Sequence, residues 1–159
     1  MPERSLRART AWLRAAAVLG TVLALDQATK ALVRANIDRG ERDPILPGVE
    51  LVHVRNHGIA FGLFSGGGAV LAWLTVAALA LLVTYFVTHA TRPLVWLPTG
   101  LLLGGALGNI IDRVRDDAVT DFIDLPLWPA FNFADVAITL GVASLLLALE
   151  MGRERDEDA

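Results

Sequence analysis

The chain has 159 residues, a length for one domain, with 54% apolar residues, a formal net charge of −3 and no cysteine. Its mean hydropathy of +0.51 is above what a soluble domain of this size usually has. Disulfides, thiolate nucleophiles and cysteine-bound metals are excluded, and no basic patch interleaved with aromatics supports nucleic-acid binding.

The N-terminal stretch "MPERSLRARTAWLRAAAVLGTVLAL" joins a basic start to an apolar middle, as a secretory signal does. No small-x-small cleavage site follows it; "DQATK" does, so it reads as an uncleaved first helix. Its uncharged part, residues 15–25, gives only about 16 Å of helix. A crossing of about 30 Å must therefore take in Arg14, which can snorkel, and the Asp26 to Lys30 end. The first span is expected at about 11–33, with Asp26 near the outer margin and in need of a partner.

A region outside the membrane is expected between the first two spans, at about 36–65. Within it "VELVHV" (49–54) is rich in β-branched residues and follows the turn residues Pro44, Pro47 and Gly48, so it reads as a strand. Residues 58–88 contain no Asp, Glu, Lys, Arg or His, and neither do residues 93–111. Both runs suit a bilayer core that takes about 20 apolar residues per helix. They predict spans at about 69–88, after "GGG" (66–68), and at about 94–111, with Pro98 early enough to be tolerated. The following "DRVRDDAVTDFIDLPLWPA" (112–130) reads as a folded interfacial loop, with two prolines and Trp128 at headgroup level. The last clean apolar run, 136–149, is too short to cross alone. A fourth span at about 131–150 draws Asp135 to the membrane edge. Residues 153–159 read as a charged, disordered tail beyond a single domain of 1–152. Four spans put both termini on one side. Lys and Arg divide evenly between the two sides, so the four arginines leading the first helix decide: both termini are expected in the cytoplasm.

By this topology four polar clusters stand together at the outer ends of the spans: "DQATK" (26–30), "RNHGIAFG" (55–62), "GNIIDR" (108–113) and "VTDFIDLPLWPAFNFADVAI" (119–138). Ionisable groups at membrane depth are costly and mark function. No serine lies near Lys30, and the three histidines lack metal-ligand spacing such as HExxH, so carboxylates are the leading catalysts. Two aspartates held together can share a proton, one acting as base toward water and the other as acid. Asp121 and Asp135 are one candidate pair; Asp26 and Asp112 are alternatives, and spacing alone does not choose. A rival class is a small proton-coupled transporter using Asp26, Asp112 and Asp135 as a relay. It predicts ionisable residues in mid-span, and the centres of the second and third spans have none.

Read together, "DQATK", "NHGIAFG", "GNIIDR", "VTDF" and "FNFAD" resemble the signature blocks of lipoprotein signal peptidase (signal peptidase II), in family order from Asp26 to Ile138. The resemblance implies an all-α membrane protein: four transmembrane helices with a small extracytoplasmic β-cradle and a short interfacial helix. It implies an aspartic endopeptidase with Asp121 and Asp135 as the catalytic dyad. Asn56, Gly108, Asn109, Asp112, Arg113, Asn132 and Ala134 match positions that line or brace the family's site, and Asp26 and Lys30 match its first-helix motif. It implies no metal and no cofactor. The substrate would be a prolipoprotein carrying diacylglyceryl on a cysteine, cut just before that cysteine at the outer leaflet of a bacterial cytoplasmic membrane. Its partners would be membrane lipid and globomycin-type inhibitors. One departure stands out: the family commonly has N-x-G-A-A-F where this chain has His57 and Ile59 flanking Gly58.

The plainer readings of the same residues are structural. Asp135 can cap a helix, Asp26 and Lys30 can pair four residues apart, the asparagines can satisfy helix ends, and Gly104 with Gly108 allows close helix packing. Asp124 has no motif match and reads as a solvated or interfacial residue.

Overall fold

The computed structural model describes residues 2–57, 68–92 and 94–157. They form helices α1 (Pro2–Asn36), α2 (Gly68–His89), α3 (Trp96–Asp116) and α4 (Phe133–Glu157), and strands β1 (Arg42–Leu46), β2 (Val49–Asn56), β3 (Val119–Leu125) and β4 (Trp128–Phe131). Helix α3 is central and packs against the other three. Glycines let it do so. A Cβ built on Gly100 would stand 2.6 Å from the Cβ of Val18, and one on Gly104 would stand 2.8 Å from that of Val22. On the next face a Cβ at Gly105 would meet the carbonyl oxygen of Ala134 at 2.6 Å. The backbones of α1 and α4 thus approach α3 through small-xxx-small spacing.

Among the described residues two helices are long and apolar enough to cross a membrane by length and composition, 5–36 within α1 and 133–153 within α4.

Strands β1 to β4 form one antiparallel sheet in sequence order. The cradle was expected from 36–65 alone; half of the sheet instead comes from the connection between α3 and α4. The segment read as an interfacial loop is corrected accordingly. Helix α3 continues through Asp112 and Arg113 to Asp116 and ends on Asp117 at φ 55°, whose N–H bonds the carbonyl of Arg113. Arg113 and Arg115 in the last turn suit the negative end of the helix. "VTDFIDL" then forms β3, as its β-branched and aromatic residues favour. Pro126 and Leu127, at φ 63°, make the turn, and Pro129 lies on the outer strand β4, where a missing donor is tolerated. No short interfacial helix occurs among the described residues, and 58–67 lie outside them. The charged tail is also corrected: α4 continues as helix to Glu157.

Two apolar clusters hold the parts together. Val33 of α1 and Ile37 just after it pack with Phe122 of β3, joined by Leu51, Ile123 and Phe133, and fasten the sheet to the first helix. At the opposite end of the bundle Ala11 and Ala15 of α1, Phe86 of α2, Ala148 of α4, and Ala90 and Val95 of the α2–α3 connection form a second cluster.

Candidate active site

The polar end of the bundle is built from helix periodicity. Asp26 and Lys30 lie one turn apart on α1, and Gly108 and Asp112 lie one turn apart on α3. A Cβ on Gly108 would fall 2.3 Å from Oδ2 of Asp26, so the missing side chain is the space that the carboxylate occupies. Asp26 and Lys30 are fully buried and Asp112 is 1% exposed. Burying such charges costs several kcal/mol per ion unless they are paired and hydrogen-bonded. Here they are. An ammonium has three N–H donors, and Lys30 Nζ faces three acceptors: Asp26 at 2.9 Å, Asp112 at 3.1 Å and Oδ1 of Asn109 at 2.8 Å. Gln27 Nε2 donates to Asp26, to Asp112 and to the carbonyl of Gly108, and Arg34 stands 3.9 Å from Asp112.

Each buried carboxylate reaches from this core to a backbone N–H next to a candidate catalytic aspartate. Asp112 Oδ2 accepts from the N–H of Thr120 at 3.1 Å, the residue before Asp121. Asp26 Oδ1 accepts from the N–H of Ala134 at 3.0 Å, the residue before Asp135. Lys30 joins the two carboxylates, so one cation ties together the supports of both.

Asp121 comes from β3 and Asp135 from the first turn of α4. Strand register places Asp121 opposite Val54 on β2, and Asn56, two residues on and so on the same face, donates to Asp121 Oδ2 at 2.9 Å. Asn132 is the bridge. Its side-chain amide donates to Asp121 Oδ1 at 2.7 Å, and its backbone N–H donates to Asp135 Oδ2 at 3.2 Å. Its Oδ1 accepts from the N–H of Asp135 at 3.1 Å, which closes a reciprocal cap on α4. Asp135 Oδ1 accepts from Asn109 Nδ2 at 3.0 Å, and Asn109 is itself oriented by Lys30. Asp121 is 2% exposed, while Asp135 is half-buried. Burial, with the nearby Asp135 carboxylate adding to it, pushes the Asp121 carboxyl up to about 6, against the pull of the Asn56 and Asn132 hydrogen bonds and the Lys30 charge.

Of the residues singled out in the sequence, Asp26, Lys30, Asn56, Gly108, Asn109, Asp112, Asn132 and Ala134 converge with Asp121 and Asp135. Arg113 does not: it is exposed, and its guanidinium meets the carbonyl of Asn109 one turn back on its own helix. Asp124 lies farther along β3 and pairs with Arg42. His57 is exposed, with Nδ1 3.0 Å from the carbonyl of Asp117, and 58–62 of the second block lie outside the described residues. Gln27, Arg34 and Thr120 belong to the network without having been singled out; the position of Gln27 inside "DQATK" was the available signal.

A profile of the family described as signal peptidase (SPase) II matches residues 18–151. The chain belongs to the signal peptidase II family. It is 44% identical over 140 residues to the lipoprotein signal peptidase of Moorella thermoacetica, covering 84% of this chain and 93% of that one. It is 40% identical over 129 residues to that of Halothermothrix orenii, covering 80% and 89%. A bacterial membrane enzyme solved in meso at 1.9 Å superposes with a TM-score of 0.76 at 33% identity, over 88% of this chain and 92% of that one. Another, at 2.3 Å, gives 0.78 at 32% identity, over 92% and 90%. This member of the signal peptidase II family is a peptidase with the fold of bacterial membrane enzymes, its helices joined to a small antiparallel sheet.

Proposed function

We propose that the chain is an aspartic endopeptidase that removes signal peptides from diacylglyceryl-modified prolipoproteins just before the lipidated cysteine. The observation that carries the chemistry is Asn132, which bonds Asp121 through its side chain and Asp135 through its backbone and so keeps two carboxyls facing one reaction space. Asp121, with its raised pKa, holds the shared proton, and Asp135 is the base toward water. Asp135 takes a proton from a water molecule, whose oxygen bonds to the scissile carbonyl carbon while Asp121 gives its proton to the carbonyl oxygen. The tetrahedral intermediate collapses as Asp135 passes its proton to the departing nitrogen. The C–N bond breaks, leaving a carboxyl on the signal peptide and an amine on the cysteine, and Asp121 recovers its proton from the intermediate's hydroxyl.

All four helices cross a cytoplasmic membrane in this reading, with both termini in the cytoplasm, 1–152 acting as one peptidase domain, and the aspartates near the outer leaflet. The buried charges favour it. They gather at one end of the bundle, the end where β1 to β4 cover it, and a site there lets acyl chains stay in lipid while the scissile bond reaches the acids. Globomycin-type peptides would compete for that site.

The purified protein should cut a synthetic peptide bearing diacylglyceryl-cysteine on the N-terminal side of that cysteine, as read by mass spectrometry, and globomycin should block it. Equal cutting of the same peptide without the lipid would overturn the substrate assignment.

A further inference from the structure

At the end of the bundle opposite the aspartates, a groove of about 470 Å³ runs between the start of α1 and the connection from α2 to α3. Arg7, Arg14 and Arg92 line it, and no carboxylate is among its described lining residues. Its remaining walls are largely apolar, with Leu6, Leu94 and Trp96 among them. The guanidinium of Arg14 lies 5.7 Å above the Trp96 ring, a cation–π contact that orients it without neutralising it. Arg7 faces Glu3 at 4.0 Å, an exposed pair one turn apart of little strength. Trp12 and Leu13, next to Arg14 in the chain, are 47% and 64% exposed. An indole at that position and apolar flanks below it are what a membrane helix presents at headgroup level.

We propose that this groove binds the headgroup of an anionic phospholipid, with the arginines on the phosphate and the apolar walls along the acyl chains. Guanidinium groups match phosphate oxygens in a fixed two-point geometry. Basic pockets between membrane helices on the cytoplasmic side take such headgroups, with each cation near the surface adding to the affinity. Free phosphate has the same charge but no use for Leu6, Leu94 or the exposed face that continues through Leu13. The inference rests on α1 crossing a membrane and is independent of the aspartate chemistry.

Native mass spectrometry of the purified full chain tests it, with phosphatidylglycerol, phosphatidylcholine or inorganic phosphate added in turn. Phosphatidylglycerol should be retained roughly tenfold or more over phosphatidylcholine, and inorganic phosphate should not displace it. The Arg14→Gln/Arg92→Gln double variant should lose that preference, and the double Lys variant should keep much of it. Cleavage of the lipopeptide should stay within about twofold of the parent in both, because the aspartates lie at the other end. Equal retention of the two lipids by the parent chain, full displacement by phosphate, or an undiminished preference in the Gln variant would overturn the proposal. A parent chain that cleaves its lipopeptide but shows no lipid preference would sink this inference alone.

Discussion

The two ends of the bundle use the same helices in opposite ways. At the end of Ala11, Phe86 and Val95 the interior is apolar, and the arginines stay on the rim. At the end of Asp26, Lys30 and Asp112 the interior is charged, and the apolar packing is pushed aside to the contact between α1 and the sheet. The first arrangement stabilises with little risk. The second gains little net stability, because the attraction within a buried ion cluster is largely spent on desolvation. What it gains is position: Asp112 and Asp26 fix the backbone just ahead of Asp121 and Asp135, and Lys30 holds both supports.

If that contrast is right, Lys30→Met should have the largest effect on folding. It leaves two buried carboxylates without their cation and should cost about 3–5 kcal/mol in thermal unfolding in detergent, with loss of cleavage. A variant as stable as the parent would contradict the role of Lys30.

Next comes pH. Asp121 is raised in the folded chain to about 6 from an ordinary 3.8, so the folded state holds a proton that the unfolded state has released. The stability this adds is full below about pH 4 and disappears as pH rises through about 6, a change of about 3 kcal/mol. Unfolding followed from pH 4 to 7 should show the decline, and Asp121→Asn should flatten it. In the proposed mechanism the same proton is given to the scissile carbonyl, so kcat/KM should fall above about pH 6. Asn56→Ala removes a hydrogen bond that favours the ionised form, so it should move that fall to higher pH.

A third comparison uses two glycines. Gly108→Ala drives a methyl group against Asp26 and should cost about 1–3 kcal/mol, whereas Gly20→Ala on the same bundle meets nothing within 4 Å and should be neutral or mildly stabilising. Arg14→Gln at the apolar end should have the smallest effect, under about 1 kcal/mol, since it loses one exposed contact with Trp96. A cost there equal to that of Lys30→Met would erase the distinction between the ends.

Much of the site was legible in the sequence because helices make it so. The four-residue spacing of Asp26 and Lys30, and of Gly108 and Asp112, puts each pair on one face, and the short apolar runs made the expected first and fourth spans take in Asp26 and Asp135. The pairing of Asp121 with Asp135 was not legible from spacing. It depends on β-strand register across residues 49–56 and 119–125 and on the cap that Asn132 makes, both of which are long-range or conformational facts. The sheet was half missed for the same reason. "VTDFIDL" precedes two prolines and a tryptophan, and those suggested an interface, whereas the strand forms because β2 stands ready to pair with it. Arg113 shows the converse limit: it shares a motif with Asp112, but adjacent helix residues face different ways, so only one of them points into the site.

The central claim is that Asp121 and Asp135 act as a pair. The direct measurement is cleavage of a diacylglyceryl-cysteine peptide by purified Asp121→Asn and Asp135→Asn, with thermal unfolding recorded on the same samples. Each variant should unfold cooperatively, as the parent does, and cut at least about 10²-fold more slowly. Near-parental cleavage by either folded variant would contradict the account.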